Sequence, residues 1–167
     1  QLNHPNIIPI YGLETSDTGE LAYSMKLVKG ETLKDILLHA KKGYEKAKEP
    51  PPPYQLKSIL DHFLKVCDAI SYAHDKGAIH RDLKPSNLFF HQVPGDERLI
   101  LIDFGISKGL EEVDQKVTET GQLFGTPHYM SPEQVQDPKG ISPSSDLYSL
   151  GVIIFEVLSG STPFEDD

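Results

Sequence analysis

Five polar side chains lie close together in the stretch IHRDLKPSNLFF, residues 79–90. His80, Arg81, Asp82, Lys84 and Asn87 occur within eight positions, between segments that are apolar. A carboxylate can accept a proton, an ammonium group can neutralise an anion, and carboxylate and amide oxygens suit hard cations. Apolar flanks would hold such a loop while its polar groups face one reaction centre. The stretch is therefore the leading candidate for a catalytic site.

Further motifs follow this stretch along the chain. They are Asp103-Phe104-Gly105, which comes directly after Ile102, the segment GTPHYMSPE at residues 125–133, and the pattern D-x-Y-S-L-G from Asp146. Each motif alone has false positives. Four motifs in this order and at compatible spacing do not arise by chance, so together they indicate a protein family.

The four motifs resemble those of the eukaryotic-type serine/threonine protein kinases, including the bacterial members, over essentially the whole chain. The resemblance implies an α+β, protein-kinase-like fold that is present in part. Residues 1–28 would form the C-terminal part of the N-lobe and the hinge. Residues 29–167 would form a mostly α-helical C-lobe without its last helices, with the catalytic loop at 80–87 and the activation segment at 103–133. The chain would then be an internal fragment of a kinase catalytic domain.

The resemblance also implies the reaction, a magnesium-dependent transfer of the ATP γ-phosphate to Ser or Thr of protein substrates. Such transfer needs positioning and charge neutralisation more than covalent help from the protein. Asp82 would be the catalytic base, and Lys84 would neutralise charge on the γ-phosphate and favour Ser/Thr over Tyr. Asn87 and Asp103 would hold Mg²⁺ through their oxygen atoms. Thr126 would contact the Asp82–Lys84 pair and support the substrate pocket.

A second group of residues is expected to bind the nucleotide. It starts at the family's gatekeeper position, Met25, and continues along the hinge, residues 26–28. Leu88 and Ile102 would contact the adenine from below. The full set expected around ATP is Met25, Lys26, Val28, Lys84, Asn87, Leu88, Ile102 and Asp103.

Other family positions would support the site rather than react. His80 and Phe104 resemble two members of the hydrophobic stack that aligns the two lobes, and Ile10 would be a third member. Gly105 directly follows Phe104. Asp146 would hydrogen-bond the backbone around His80 and Arg81. Glu133 would pair with an arginine that lies beyond residue 167, so we expect it to be unpaired in this chain.

Regulation is expected on the activation segment. An arginine directly before the catalytic aspartate commonly pairs with a phosphate on this segment, which gives Arg81 that role. Thr118 and Thr120 are the candidates for autophosphorylation, with an unmodified, solvated threonine as the alternative for each. Acidic neighbours would repel an added phosphate, so a cationic partner would be needed to order the segment.

The scaffold that positions these residues can be predicted from the apolar patterns. A capping box of Thr32 and Asp35 indicates a helix over residues 33–40. Residues 41–53 are predicted to be a solvated connector, with a proline-motif docking site as the alternative. The other predicted elements are a hairpin of strands within 4–14 and 21–28, a helix over 54–77, paired strands NLFF and LILI, a loop over 105–130 and a helix over 146–158.

Composition argues against several other classes of protein. The net charge of −9 and the pI of about 5.2 disfavour nonspecific nucleic-acid binding. The single cysteine, Cys67, rules out an intramolecular disulfide and a cysteine-built zinc site, and it fits the reducing cytoplasm. The longest apolar stretch, residues 147–158, is too short to span a bilayer. A membrane anchor of the parent protein would therefore lie outside this chain.

Alternative functions follow from what the chain does not contain. The family's glycine-rich loop and strand lysine would precede Gln1, so we expect the parent protein to be active and this piece alone to be inactive. A pseudokinase or scaffold, which binds protein partners without catalysis, is the main alternative. A small-molecule phosphotransferase is disfavoured, because the GT…SPE segment forms a platform for a protein substrate in the family.

Overall fold

The computed structural model describes residues 2–15, 21–45, 55–104, 127–136 and 140–164. Within these residues, five strands and four α-helices alternate along the chain in an α+β arrangement. The strands are β1 (Ile10–Thr15), β2 (Leu21–Met25), β3 (Gly30–Thr32), β4 (Leu88–His91) and β5 (Arg98–Leu101). The helices are α1 (Leu33–Glu45), α2 (Leu56–Asp75), α3 (Pro132–Gln136) and α4 (Pro143–Ser159).

The first two strands form the predicted hairpin. β1 and β2 pair antiparallel, with an irregularity in register between Ile10 and Gly12. The second strand ends at Met25, and residues 26–29 connect it to β3. The hairpin is a two-stranded sheet separate from the sheet that β3, β4 and β5 form.

Helix α1 begins at the predicted capping box. The Asp35 backbone N–H donates to the Thr32 hydroxyl (3.2 Å), and the Thr32 backbone N–H donates to the Asp35 carboxylate (3.2 Å). The helix continues to Glu45, so the prediction that residues 41–45 belong to a solvated connector was wrong. Lysine and glutamate favour helices, and buried Ala40 prolongs the apolar face. Residues 46–53 of the predicted connector lie outside the described residues.

Helix α2 forms the centre of the apolar core. Its buried side chains recur at helical spacing and pack on the sheet and on α4: Ile59, Phe63, Val66, Ala69, Ile70 and Ala73. Cys67 lies half-buried against this core. Gly77, with φ of +74°, follows the helix near the predicted end.

The three-stranded sheet has the order β3-β4-β5 and adjoins the predicted catalytic loop at 80–87. Strand β4 begins directly after Asn87, and β5 ends two residues before Asp103. Gly30 is required in β3, because its φ is +143° and a Cβ there would clash with the carbonyl oxygen of Phe90. On the other side, Ile8 N–H donates to the Leu101 carbonyl (2.9 Å), which anchors the start of the chain to β5.

Helix α4 starts three residues earlier than predicted. Ser142 and Ser145 form a reciprocal capping box, and Pro143 takes the first helical position. One face of the helix is buried on the core, whereas Leu147, Phe155 and Leu158 on its surface are exposed. Among the described residues, no helix combines the length and the apolar character needed to cross a bilayer.

Candidate active site

Asp82 lies at the centre of a short network of hydrogen bonds. Lys84 Nζ is 2.9 Å from Asp82 Oδ2, and both side chains are about one quarter exposed. Asn87 Nδ2 donates to the Asp82 carbonyl oxygen (2.8 Å) and to Oδ2 (3.2 Å). The structure therefore brings together the base, the cation and the amide that the sequence predicted as a reactive set.

The loop holds these side chains because its apolar residues point into the core. Leu83 is fully buried between Asp82 and Lys84. Buried Pro85 begins a 3₁₀ turn over Pro85–Asn87, in which Asn87 N–H donates to the Lys84 carbonyl (2.9 Å). The proline fixes φ where no backbone donor is needed. Alternation of buried and accessible residues thus leaves Asp82 and Lys84 accessible, whereas Asn87 is buried and reaches Asp82 through its amide nitrogen.

Asp146, on α4, fixes the backbone at the start of the loop. Its carboxylate is 1% exposed and accepts hydrogen bonds from the His80 N–H (2.8 Å) and the Arg81 N–H (2.9 Å), as expected from the sequence. The His74 Nε2 atom lies 2.8 Å from Asp146 Oδ2 and supplies a third partner. The sequence gave no sign of this contact, because the two residues are 72 positions apart.

Arg81 adopts a left-handed backbone conformation, with φ of +67°. Such a conformation costs a non-glycine residue roughly 1–3 kcal/mol, so the surrounding contacts must hold it. Asp146 accepts its N–H, and Gln134 Nε2 on α3 donates to its carbonyl oxygen (2.7 Å). Gln134 directly follows the SPE motif, and the sequence analysis did not identify it.

His80 is fully buried beneath the loop. Its Nε2 lies 3.0 Å from the carbonyl oxygen of Ile102, and its Nδ1 accepts the backbone N–H of Asp82 (3.3 Å). This arrangement assigns the proton to Nε2 in a neutral ring. Burial lowers the pKa of His80 below its ordinary value. The ring packs on Phe104 with a centroid distance of 4.7 Å, which places two members of the predicted stack in contact.

Asp103 lies on the exposed side of the site. It follows β5, and its φ is +55°, so it is the second left-handed residue beside the predicted reaction centre. Tyr23 of β2 donates its hydroxyl hydrogen to Asp103 Oδ1 at 2.7 Å. This hydrogen bond raises the pKa of Tyr23 above its ordinary value. Nothing in the sequence pattern indicated the contact, because the two residues are 80 positions apart.

Glu133 has a partner within the chain, so the expectation that it is unpaired was wrong. The Ser145 hydroxyl donates to Glu133 Oε1 at 2.6 Å and lowers the pKa of the carboxyl group. Ser145 is available because it lies at the start of α4 beside α3. The contact links the SPE segment to the helix that carries Asp146.

The predicted adenine contacts have different environments. Met25 is 40% exposed, and Lys26, Val28 and Ile102 are half-buried. Leu88 was wrongly predicted to contact the adenine, because its side chain is 0% exposed within the core. Successive strand residues face opposite sides of a sheet, so half-buried Phe89 is the neighbour that a ligand could reach. The apolar run NLFF has no alternation that distinguishes these two faces.

Four predicted site residues lie outside the described residues: Gly105, Thr118, Thr120 and Thr126. Residues 105–126 of the predicted activation segment are outside as well, whereas Pro127–Tyr129 forms a 3₁₀ turn. Beyond this turn, Ser149 Oγ donates to the Tyr129 carbonyl (2.6 Å), and the Tyr129 hydroxyl donates to Glu156 (2.7 Å). The end of the segment is thus docked on α4.

Asn87 and Asp103 carry the oxygen atoms that could bind a divalent cation. Asn87 uses its amide nitrogen on Asp82, which leaves Oδ1 as its metal-binding atom. Asp103 keeps an exposed carboxylate. Among the described residues, no group of three or more His, Cys, Asp or Glu side chains could hold a metal ion. One amide and one carboxylate fit Mg²⁺, which binds through few protein oxygens and completes its shell with water and phosphate.

Comparison with known proteins identifies similar sequences over the whole chain. The family model described as "Protein kinase domain" matches residues 1–167. The chain is 34% identical to the serine/threonine-protein kinase PknB of Mycobacterium tuberculosis, an alignment that covers 99% of the chain and 25% of that protein. It is 36% identical to the serine/threonine-protein kinase pkn2 of Myxococcus xanthus, which covers 98% of the chain and 18% of that protein. The chain thus spans about a quarter or less of the length of these curated relatives.

Proposed function

The chain belongs to the protein kinase domain family, and we propose that it provides the catalytic centre of a serine/threonine protein kinase. The parent protein would transfer the γ-phosphate of ATP to Ser or Thr hydroxyls of protein substrates. The similarity of the chain to bacterial serine/threonine-protein kinases supports this proposal. The observation that carries it is the hydrogen-bonded set of Asp82, Lys84 and Asn87.

Asp82 would orient the substrate hydroxyl and accept its proton. Its carboxylate is partly exposed, so a substrate can reach it, while Lys84 and Asn87 hold its orientation. Lys84 would then neutralise charge on the γ-phosphate as the new oxygen–phosphorus bond forms. Such a set supplies the positioning and the electrostatic stabilisation that phosphoryl transfer needs.

Asn87 Oδ1 and the Asp103 carboxylate would hold Mg²⁺, which neutralises phosphate charge when bound. The hinge residues Lys26 and Val28, together with Met25, Ile102 and Phe89, would surround the adenine. The separate β1–β2 sheet supports a division between lobes near residue 28. Both lobes would therefore contribute to the nucleotide site.

Regulation would act through Arg81 and the activation segment. We propose that Arg81 pairs with a phosphate on Thr118 or Thr120, because Arg81 directly precedes the proposed base. The contacts of its backbone with Asp146 and Gln134 leave its charged side chain for such a role. With one cysteine in the chain, we also propose that the catalytic domain works in the reducing cytoplasm.

The test is Asp82→Asn in the parent protein, with Mg²⁺, ATP and a Ser/Thr peptide substrate. The variant keeps the size of the side chain but loses the base, so phosphorylation should slow by roughly 10²–10⁴-fold. Asp75→Asn removes an exposed carboxylate at the end of α2 and is the matched control, which should keep the wild-type rate. An Asp82→Asn rate equal to wild type would contradict the assigned role and favour a scaffold.

A further inference from the structure

We propose that Tyr23 is a positioning residue for Asp103. The Tyr23 hydroxyl fixes one carboxylate oxygen of Asp103, so that the other oxygen is presented to a divalent cation. This inference rests on the proposed function, because it assumes that Asp103 binds the metal. It adds a residue of the β1–β2 hairpin to the metal side of the site. Its basis is the contact between the Tyr23 hydroxyl and Asp103 Oδ1 at 2.7 Å.

Asp103 needs an orienting contact because its surroundings are open. Among the described residues Asp103 is exposed, and it lies two residues beyond the end of β5. A metal-binding carboxylate that rotates freely loses conformational entropy when it binds. Hydrogen bonds from neighbouring groups commonly orient metal-ligating side chains and contribute to affinity. The Tyr23 hydroxyl meets Asp103 in this way.

A phenol is chemically suited to this role. It is neutral, so it donates a hydrogen bond without cancelling the negative charge that attracts the cation. The phenolic hydroxyl carries a hydrogen that it can donate to a carboxylate oxygen. A lysine or arginine at the same place would instead neutralise the carboxylate and compete with the metal. The hydrogen bond uses Oδ1 and leaves Oδ2 for coordination.

The position of Tyr23 in β2 agrees with this assignment. Side chains two residues apart lie on the same face of a strand, so Tyr23 shares a face with Met25. Met25 is the residue that we assign to the gatekeeper position beside the nucleotide. Tyr23 therefore lies on the nucleotide side of the hairpin, and its contact joins this hairpin to the start of the activation segment.

The test uses Tyr23→Phe in the parent protein, which removes one oxygen atom and keeps the ring. Mn²⁺ is the probe, and its free concentration is followed by electron paramagnetic resonance with a saturating non-hydrolysable ATP analogue. We expect the Mn²⁺ affinity to fall by about 10-fold or more, as is typical when an orienting partner is lost. Tyr11→Phe is the matched control, because Tyr11 lies on the adjacent strand and is 68% exposed. It should bind Mn²⁺ like the wild type.

Asp103→Asn separates the failure of this inference from the failure of the proposed function. If Asp103→Asn weakens Mn²⁺ binding and Tyr23→Phe does not, Tyr23 has no positioning role while Asp103 remains the ligand. Tighter binding by Tyr23→Phe would also overturn the inference, because the hydroxyl would then compete with the cation. If neither variant weakens binding, both the positioning role and the proposed metal role of Asp103 are wrong.

Discussion

Two aspartates beside the candidate active site are held in opposite ways. Asp146 is buried, and its carboxylate accepts two backbone N–H groups and contacts His74. Asp103 is exposed, and Tyr23 donates to it from a separate hairpin. The loop that carries the proposed base is therefore fixed by the core of the larger sheet and helices. The proposed metal-binding residue Asp103 is instead contacted by Tyr23 from a distant part of the chain.

The difference suggests how the site divides its tasks. The proposed base, Asp82, must keep its orientation in every step. The backbone of the preceding residue, Arg81, is anchored by Gln134 on α3 and by Asp146 on α4. A metal site must open to admit and release its ligand, and an exposed contact across 80 residues can break at small cost. The predictions below test this contrast, starting from the largest expected effect.

Asp146→Ala should have the largest effect on stability. It leaves the N–H groups of His80 and Arg81 without their acceptor in a buried place, and each buried donor left unpaired costs about 1–3 kcal/mol. We expect the free energy of unfolding to fall by roughly 3 kcal/mol or more. Urea unfolding of the kinase domain, compared with wild type, measures the change.

Two controls make the comparison between the regions sharper. Asp75→Ala removes an exposed carboxylate, and Tyr23→Phe removes an exposed hydrogen bond, so each should change the free energy of unfolding by less than about 0.5 kcal/mol. A loss from Tyr23→Phe as large as that from Asp146→Ala would break the contrast. It would show that the hairpin contact is as rigid as the buried one.

His80 should make the stability of the catalytic-loop region depend on pH. Its pKa is lowered by burial from 6.5, although Asp146, Asp82 and Asp103 oppose the shift. Below pH 6.5 the unfolded chain then binds more protons than the folded one, so stability is complete above this pH and decreases as the pH falls. The slope contributed by one histidine reaches at most about 1.4 kcal/mol per pH unit. Urea unfolding between pH 7.5 and roughly pH 5 measures it.

The control for this pH effect is His80→Phe, which keeps a ring against Phe104 but cannot be protonated. His62 also has a pKa lowered by burial, so a part of the slope should remain in the variant. The difference between the two slopes is the contribution of His80. Equal slopes in wild type and variant would mean that His80 does not resist protonation in the folded state.

Local patterns predicted most of the scaffold and the proximity of the polar side chains around Asp82. The capping box of Thr32 and Asp35, the apolar stripe of α2 and the pairing of β4 with β5 depend on neighbouring residues or on a short hairpin. The motif around Asp82 predicted for the same reason that the side chains of Asp82, Lys84 and Asn87 lie close together. The backbone contacts of Asp146 followed from the family resemblance.

Contacts between distant side chains could not be predicted in the same way. Tyr23, His74 and Gln134 reach their partners across 80, 72 and 53 positions, and no periodicity encodes such pairs. Leu88 shows a different limit, since an error of one position in a strand moves a side chain to the opposite face of the sheet. Burial shows which face of the sheet a side chain occupies. In the run NLFF, only the structure shows which side chains are buried.

Gln134→Glu should have a smaller effect than Asp146→Ala and tests the second anchor of Arg81. The change keeps an oxygen for the Ser131 N–H, which Gln134 Oε1 accepts at 3.0 Å, but replaces the donor to the Arg81 carbonyl with a second oxygen. We expect a loss of about 1 kcal/mol in the free energy of unfolding. We also expect a lower kcat for peptide phosphorylation with an unchanged KM for ATP, because Arg81 directly precedes Asp82.

Gln136→Glu adds the same charge on the exposed side of α3 and should alter neither quantity. Equal effects of the two variants would mean that the added charge acts rather than the lost donor, and Asp146 alone would then anchor the loop.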